Sequence, residues 1–237
     1  MQTVGFSTGS LAFGDVRRAL EMLGPQRTDA VELSALRMHE LGPLLDSIPH
    51  LPLEGYRHVA VHAPSSFTAD EEQAVADALL PVAQRGWLVV VHPDTIRNHA
   101  VWRRFGDRLC IENMDRRKPC GRTVEELRPV FERLPRASFC FDVAHARQCD
   151  TSMTEAYRLL SAFGDRLRQV HVSELDSESR HVRLTPTGIR ACREVADLIG
   201  IDIPVIIEAK VEAQELDAEI DSSLEALGRL VPIPYAA

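Results

Sequence analysis

The chain has 237 residues, 45% of them hydrophobic and 26% charged, with a formal net charge of −8. That length supports one well-buried core and is short for two full domains, and the dense Val, Ile and Leu clusters exclude a disordered acidic tail. Five cysteines, an odd number with no C-x-x-C pair, exclude a disulfide-stapled mini-fold and read as reduced thiols of a cytoplasmic protein.

In chain order, an extended run over 3–7 leads into a turn, Thr8-Gly9-Ser10-Leu11-Ala12-Phe13-Gly14, and an amphipathic helix over 16–23. Extended 30–33 precedes a helix over 34–46, 58–62 precedes 69–84, and 87–92 precedes 96–105. The pattern continues with 109–113 and 123–134, 138–142 and 151–163, 169–173 and 186–199, then 204–208 and 218–230. The helices repeat apolar residues at a period near 3.6, as in Leu127, Val130, Phe131 and Leu134. Thr123 followed by Glu126 reads as a capping box, and Asp94 or Thr95 is the expected cap of the helix before Val101.

Eight strand–helix units in alternation imply an α/β protein with a parallel sheet. They close most naturally into a (β/α)8 TIM barrel, a fold of about 250 residues that starts near 200. We read 1–237 as a single barrel domain, without linker, repeat or low-complexity segment. An open doubly wound sheet is the alternative, but the first turn does not follow G-x-G-x-x-G. Eight units in 237 residues leave under 30 each, so little superstructure is expected over the mouth. No signal peptide precedes the first strand, and no apolar run approaches the roughly 18 residues of a membrane span. The negative charge weighs against non-specific nucleic-acid binding.

The strands end in charged or imidazole side chains, which is unusual for buried elements. They close on His62, His92, Glu112 and Asp142 (with His145 just beyond), on His171 within the seventh, and on Glu208; Glu32 lies near the end of the second. Residues i and i−2 share a strand face. If these groups point into the barrel, the layer beneath holds Ala60, Val90, Cys110, Cys140, Gln169 and Ile206. The opposite parity, Val61, Val91, Ile111, Phe141, Val170 and Ile207, then faces the helices. The polar groups converge on the C-terminal mouth, where barrel enzymes place their chemistry. Carboxylates and imidazoles gathered there need a counter-charge, and a divalent cation supplies it. Nitrogen and oxygen donors without cysteine suit Mn, Zn, Co or Fe. Glu32 has a second reading, as the partner of an arginine.

The segments His62-Ala63-Pro64, Val91-His92-Pro93, Ile111-Glu112-Asn113-Met114, Asp142-Val143-Ala144-His145, His171-Val172-Ser173-Glu174, Arg180-His181 with Gly188, and Ile207-Glu208 resemble the xylose-isomerase-like barrels. That superfamily includes endonuclease IV and many sugar isomerases and epimerases. With Val31-Glu32-Leu33, the resemblance spans almost the whole chain.

The isomerase and epimerase branch implies one ion held by Glu112, Asp142, His171 and Glu208, with Glu112 and Glu208 as the acid/base pair and His145 and Arg180 on substrate oxygens. The endonuclease IV branch implies three zinc ions on His62, His92, Glu112, Asp142, His145, His171, His181 and Glu208. That branch's ninth ligand, an Asp, is Ser179 here, which weakens a third metal and leaves a two-metal centre bridged by Glu112. One ion is the leading expectation, with two or three allowed.

The loop Asp115-Arg116-Arg117-Lys118-Pro119-Cys120-Gly121-Arg122 is the concentrated basic patch. Its Arg116, Arg117 and Lys118 are candidates to bind a substrate phosphate or carboxylate. Short loops after His62 and His92 leave no room for duplex-reading arms. The leading expectation is a metal-dependent isomerase or epimerase of a small sugar, sugar phosphate or hydroxy-keto acid. A phosphoester hydrolase with a multinuclear zinc site is the alternative, and the resemblance also allows a homodimer.

Overall fold

Runs of β-branched and aromatic residues form strands because such side chains pack well on a pleated surface. The computed structural model describes residues 2–24 and 27–230. In it the barrel strands are β1 (Val4–Ser7), β2 (Ala30–Ser34), β3 (His58–His62), β4 (Leu88–Val91), β5 (Leu109–Glu112), β6 (Ser138–Asp142) and β7 (Leu167–Val172). Two short strands, β8 (Glu174–Leu175) and β9 (His181–Val182), form an antiparallel hairpin before the last barrel strand, β10 (Val205–Ile207). The barrel closes in the order β1-β10-β7-β6-β5-β4-β3-β2, with every pairing parallel.

The two faces separate as period-two reasoning requires. Ala60, Leu88, Val90, Cys110 and Cys140 pack inside the barrel as their own cluster. Val61, Val91, Ile111, Phe141, Val170 and Ile207 join the larger core between strands and helices. Gly5 shows how tightly β1 and β2 approach: a Cβ there would lie 1.6 Å from the carbonyl oxygen of Ala30.

The helices are α1 (Thr8–Ala12), α2 (Val16–Leu23), α3 (Met38–Ser47), α4 (Glu72–Gln84), α5 (His99–Trp102), α6 (Val124–Arg133), α7 (Val143–Cys149), α8 (Thr154–Phe163), α9 (Pro186–Arg193) and α10 (Leu216–Ala226). Three expectations need correction. The helix expected over 96–105 is one turn, α5, followed by a 3-10 segment, and its cap is Asn98. Asp94 instead binds Lys118, and the Thr95 hydroxyl donates to the carbonyl of His92. Thr123 does cap α6, but Glu126 turns its carboxylate to Arg122, so half of the capping box forms. The strict alternation is broken by α1 in the first turn, by α7 straight after β6, and by the β8–β9 hairpin, which adds superstructure at the mouth. These pieces escape sequence reading because each is too short to show a period.

Candidate metal centre

The register sets the polar strand ends at similar heights. Asp142 lies opposite His171, which pairs with Ile206, two residues before Glu208. Glu112, Asp142, His171 and Glu208 each offer one ligand atom, all within 4.8 Å of one another. His62, His92 and Glu112 form a second such group. Glu112 belongs to both: its Oε2 lies 3.1 Å from His62 Nε2 and 3.3 Å from His92 Nε2, and its Oε1 lies 3.3 Å from His171 Nδ1. His145 Nδ1 lies 3.2 Å from the same Oε1.

Neighbouring groups orient these side chains. His62 Nδ1 donates to the carbonyl of Ala63 at 2.7 Å, which turns Nε2 toward Glu112. The amide of Asn113 clasps the Asp142 backbone, donating to its carbonyl and accepting from its N–H, each at 2.8 Å. Asp142 caps α7, its Oδ1 accepting from the His145 N–H at 2.6 Å. Its buried Oδ2 has no hydrogen-bond partner.

Below the centre, His171 Nε2 donates to Glu32 at 3.0 Å, leaving Nδ1 on the side of Glu112, Asp142 and Glu208. Glu32 also accepts from Gln169, whose oxygen accepts from His58 Nε2 at 2.7 Å. A polar column thus runs through the barrel interior to His171.

The electrostatics fit a bound cation. Burial raises the Glu208 carboxyl; nearby His171 opposes this, the charges of Glu112, Asp142 and Glu32 add to it, and it settles at about 8. Burial likewise raises Asp142, with His145 opposing and Glu112 adding. Burial works against charge on His62 and His145, but the surrounding carboxylates hold them up to about 9 and about 10. Protons here do the work that a divalent cation does in a metal centre. The unpartnered Asp142 oxygen and the gathered N and O donors fit such an ion, with Glu112, Asp142, His171 and Glu208 as one ligand set and His62 and His92 extending it through Glu112.

A cavity of about 680 Å³ opens above these groups, lined by His62, His92, Glu112, His145, His181 and Glu208 among others. The other expected site residues divide. Arg117, Lys118 and Arg180 line the cavity, but Arg117 is held by Asp115 at 2.7 Å, Lys118 by Asp94 at 3.0 Å, and Arg180 by Asp176 at 2.8 Å. Arg116 is exposed and does not line the cavity. Glu32 is fully buried beneath His171, out of reach of a substrate, and its partners are His171 and Gln169 rather than an arginine. The Ser179 hydroxyl accepts from Gln148 at 2.7 Å, and among the described residues no third ligand group forms around His145 and His181.

Sequence reasoning missed Asp115, buried with its carboxylate 3.9 Å from His145 Nε2, and the Asn113 clasp. Asn113 sits in the strand-five motif and Asp115 opens the loop that follows it. Their polarity just past a buried strand was the available signal.

Fold and site together define a (β/α)8 barrel with a histidine–carboxylate cluster at its C-terminal mouth. The sequence model of the xylose isomerase-like TIM barrel family matches residues 98–230, more than half of the chain, and the protein belongs to that family. Among solved structures, endonuclease IV from Thermus thermophilus superposes with a TM-score of 0.61 at 19% identity, covering 96% of this chain and 100% of that one; the likeness is one of fold. An uncharacterized B. cereus protein gives a TM-score of 0.42 at 13% identity over 97% of this chain and 65% of its own, too distant to carry an argument. No curated protein matches. Among the described residues, no helix is long and apolar enough to cross a membrane.

Proposed function

We propose that the protein is a divalent-metal-dependent isomerase or epimerase of a small polar substrate. The observation that carries this reading is a pair of glutamates, Glu112 at the end of β5 and Glu208 just past β10, that line one cavity and belong to one four-residue ligand group. When bound, the cation polarises a substrate carbonyl and acidifies the neighbouring C–H. Glu112 offers the carboxylate that takes up that proton. Glu208, beyond Asp142 and His171 in the strand order, returns a proton on the other side. His145 lines the cavity and reaches substrate oxygens.

The cavity volume suits a small molecule, since ligand pockets run to roughly 300–1,000 Å³, and with the net charge of −8 it argues against a nucleic-acid duplex. Five unpaired cysteines support a reducing, cytoplasmic setting.

The second reading, phosphoester hydrolysis at a two-metal centre, is favoured by the His62, His92 and Glu112 group. Solvent isotope exchange separates the two. The metal-loaded protein is incubated in D2O with aldoses, ketoses, their phosphates and hydroxy-keto acids, and recovered substrate is weighed by mass spectrometry. We expect one deuterium beside the carbonyl, lost in Glu112→Gln. Phosphate release without any carbon-bound deuterium would overturn the isomerase reading in favour of hydrolysis.

A further inference from the structure

Four lysine and arginine side chains line the cavity: Arg117, Lys118, Arg180 and Lys210. Three are already matched to carboxylates. Arg117 lies 2.7 Å from Asp115, Lys118 3.0 Å from Asp94, and Arg180 2.8 Å from Asp176 and 2.9 Å from Glu178. Lys210 differs. It follows Glu208 by two residues, is exposed, and has no carboxylate partner among the described residues. Its neighbour is an aromatic ring: Nζ lies 4.7 Å from the centroid of Phe13.

Phe13 is itself out of place by ordinary packing rules. It ends α1 in the left-handed region, with φ 50° and ψ 44°, its N–H donating to the carbonyl of Gly9 at 3.0 Å. Glycine or asparagine closes a helix this way with little strain. A large aromatic side chain does so at a cost, and here the fold does not recover that cost by burial, since Phe13 is 65% exposed. Strained positions of this kind gather at ligand sites. A ring held on the rim of the cavity under an unmatched ammonium is a surface for a ligand with an anionic end and a flat or apolar body.

We propose that Lys210 and Phe13 form the subsite for the substrate's terminal anion. The ammonium binds a phosphate or carboxylate at the outer end of the molecule, while the carbon skeleton lies on the Phe13 ring and leads inward past Glu208. The proposal rests on the reading of this cavity as the substrate site, and it selects anion-terminated substrates over neutral ones. It also moves anion recognition from Arg117 and Lys118 of the loop after β5, whose charges are spent on Asp115 and Asp94, to the opposite part of the mouth.

Calorimetric titration of the metal-loaded protein with phenyl phosphate, benzoate, inorganic phosphate and neutral benzyl alcohol tests it. At least one ring-bearing anion should bind more tightly than benzyl alcohol; phenyl phosphate ahead of benzoate marks a phosphate terminus, and the reverse order a carboxylate. Lys210→Met should weaken the preferred anion about tenfold or more, the effect of losing a charged hydrogen bond, and leave benzyl alcohol unchanged. Lys210→Arg should restore it. Phe13→Asn keeps the left-handed cap and removes only the ring, so phenyl phosphate should weaken and inorganic phosphate should not. No preference for anions in the wild type, or equal anion binding by Lys210→Met, overturns the proposal. Titration involves no turnover, so its failure leaves the isotope-exchange result standing. Conversely, Lys210-dependent binding without isotope exchange keeps the subsite and removes the isomerase.

Discussion

Asp142 shows at single-residue scale how one side chain serves both fold and site. One oxygen caps α7 and the other, buried, has no hydrogen-bond partner. Asp142→Asn keeps the cap, since asparagine caps as well as aspartate, and removes the charge. Burial already disfavours that charge, so the metal-free variant should melt at the wild-type temperature or above it. Metal affinity should drop about a hundredfold or more, because even changes behind the ligands cost 10–100-fold. Equal metal affinity in a zinc or manganese titration would remove Asp142 from the ligand set. Aspartate at the end of the sixth strand was legible as a candidate ligand; its capping of α7 was not, because α7 is too short to announce itself.

At the scale of elements, β1 and β2 meet at Gly5, the glycine where an added Cβ would come closest to a neighbour. Gly5→Ala places a methyl group against the backbone of Ala30, where nothing flexible can yield. We expect a loss on the order of 3 kcal/mol and, at about 2–4 °C per kcal/mol for a chain of this size, a Tm lower by roughly 10 °C. The counterpart is Gly42 within α3, where an added Cβ meets nothing within 4 Å. There alanine should stabilise by about 0.5–1 kcal/mol, the helix-propensity difference. Thermal scans of both variants compare the two cases directly, and equal shifts would mean that strand proximity is not what glycine provides at Gly5. The sequence showed a glycine in a strand and a glycine in a helix. Only the barrel's closure makes the first indispensable.

For the whole molecule the prediction concerns charge. In the metal-free protein, burial opposes protons on His62 and His145, yet the carboxylates around them hold both up, to about 9 and about 10. His171 is raised well above its ordinary value in the same way, and burial raises Glu208 to about 8. From the ordinary histidine value of 6.5 upward, the folded state therefore holds protons that the unfolded chain has lost. Stability from these groups is full below their unfolded values and is lost as pH rises through the folded ones. We expect the Tm in EDTA to fall between pH 6.5 and 10. With saturating metal the trend should flatten or reverse, because bound metal replaces those protons and competes better as pH rises. Parallel Tm–pH curves with and without metal would contradict a centre built on these groups.

The sequence alone determined the eight-strand α/β barrel and the inward parity of His62, His92, Glu112, Asp142, His171 and Glu208, because period two and burial are local properties that each strand states for itself. It also carried the family's motifs, since those lie at strand ends. Tertiary structure alone decided which charges remain available. Arg117, Lys118 and Arg180 looked free in sequence and are matched by Asp115, Asp94 and Asp176, while Glu32 proved to be a buried partner of His171 from a strand 139 residues away. Lys210, with no distinction in sequence beyond being one of two lysines, is, among the described residues, the lysine or arginine of the mouth left without a carboxylate. Pairing of charges depends on side chains brought together across the barrel, and no local pattern encodes which of them will meet.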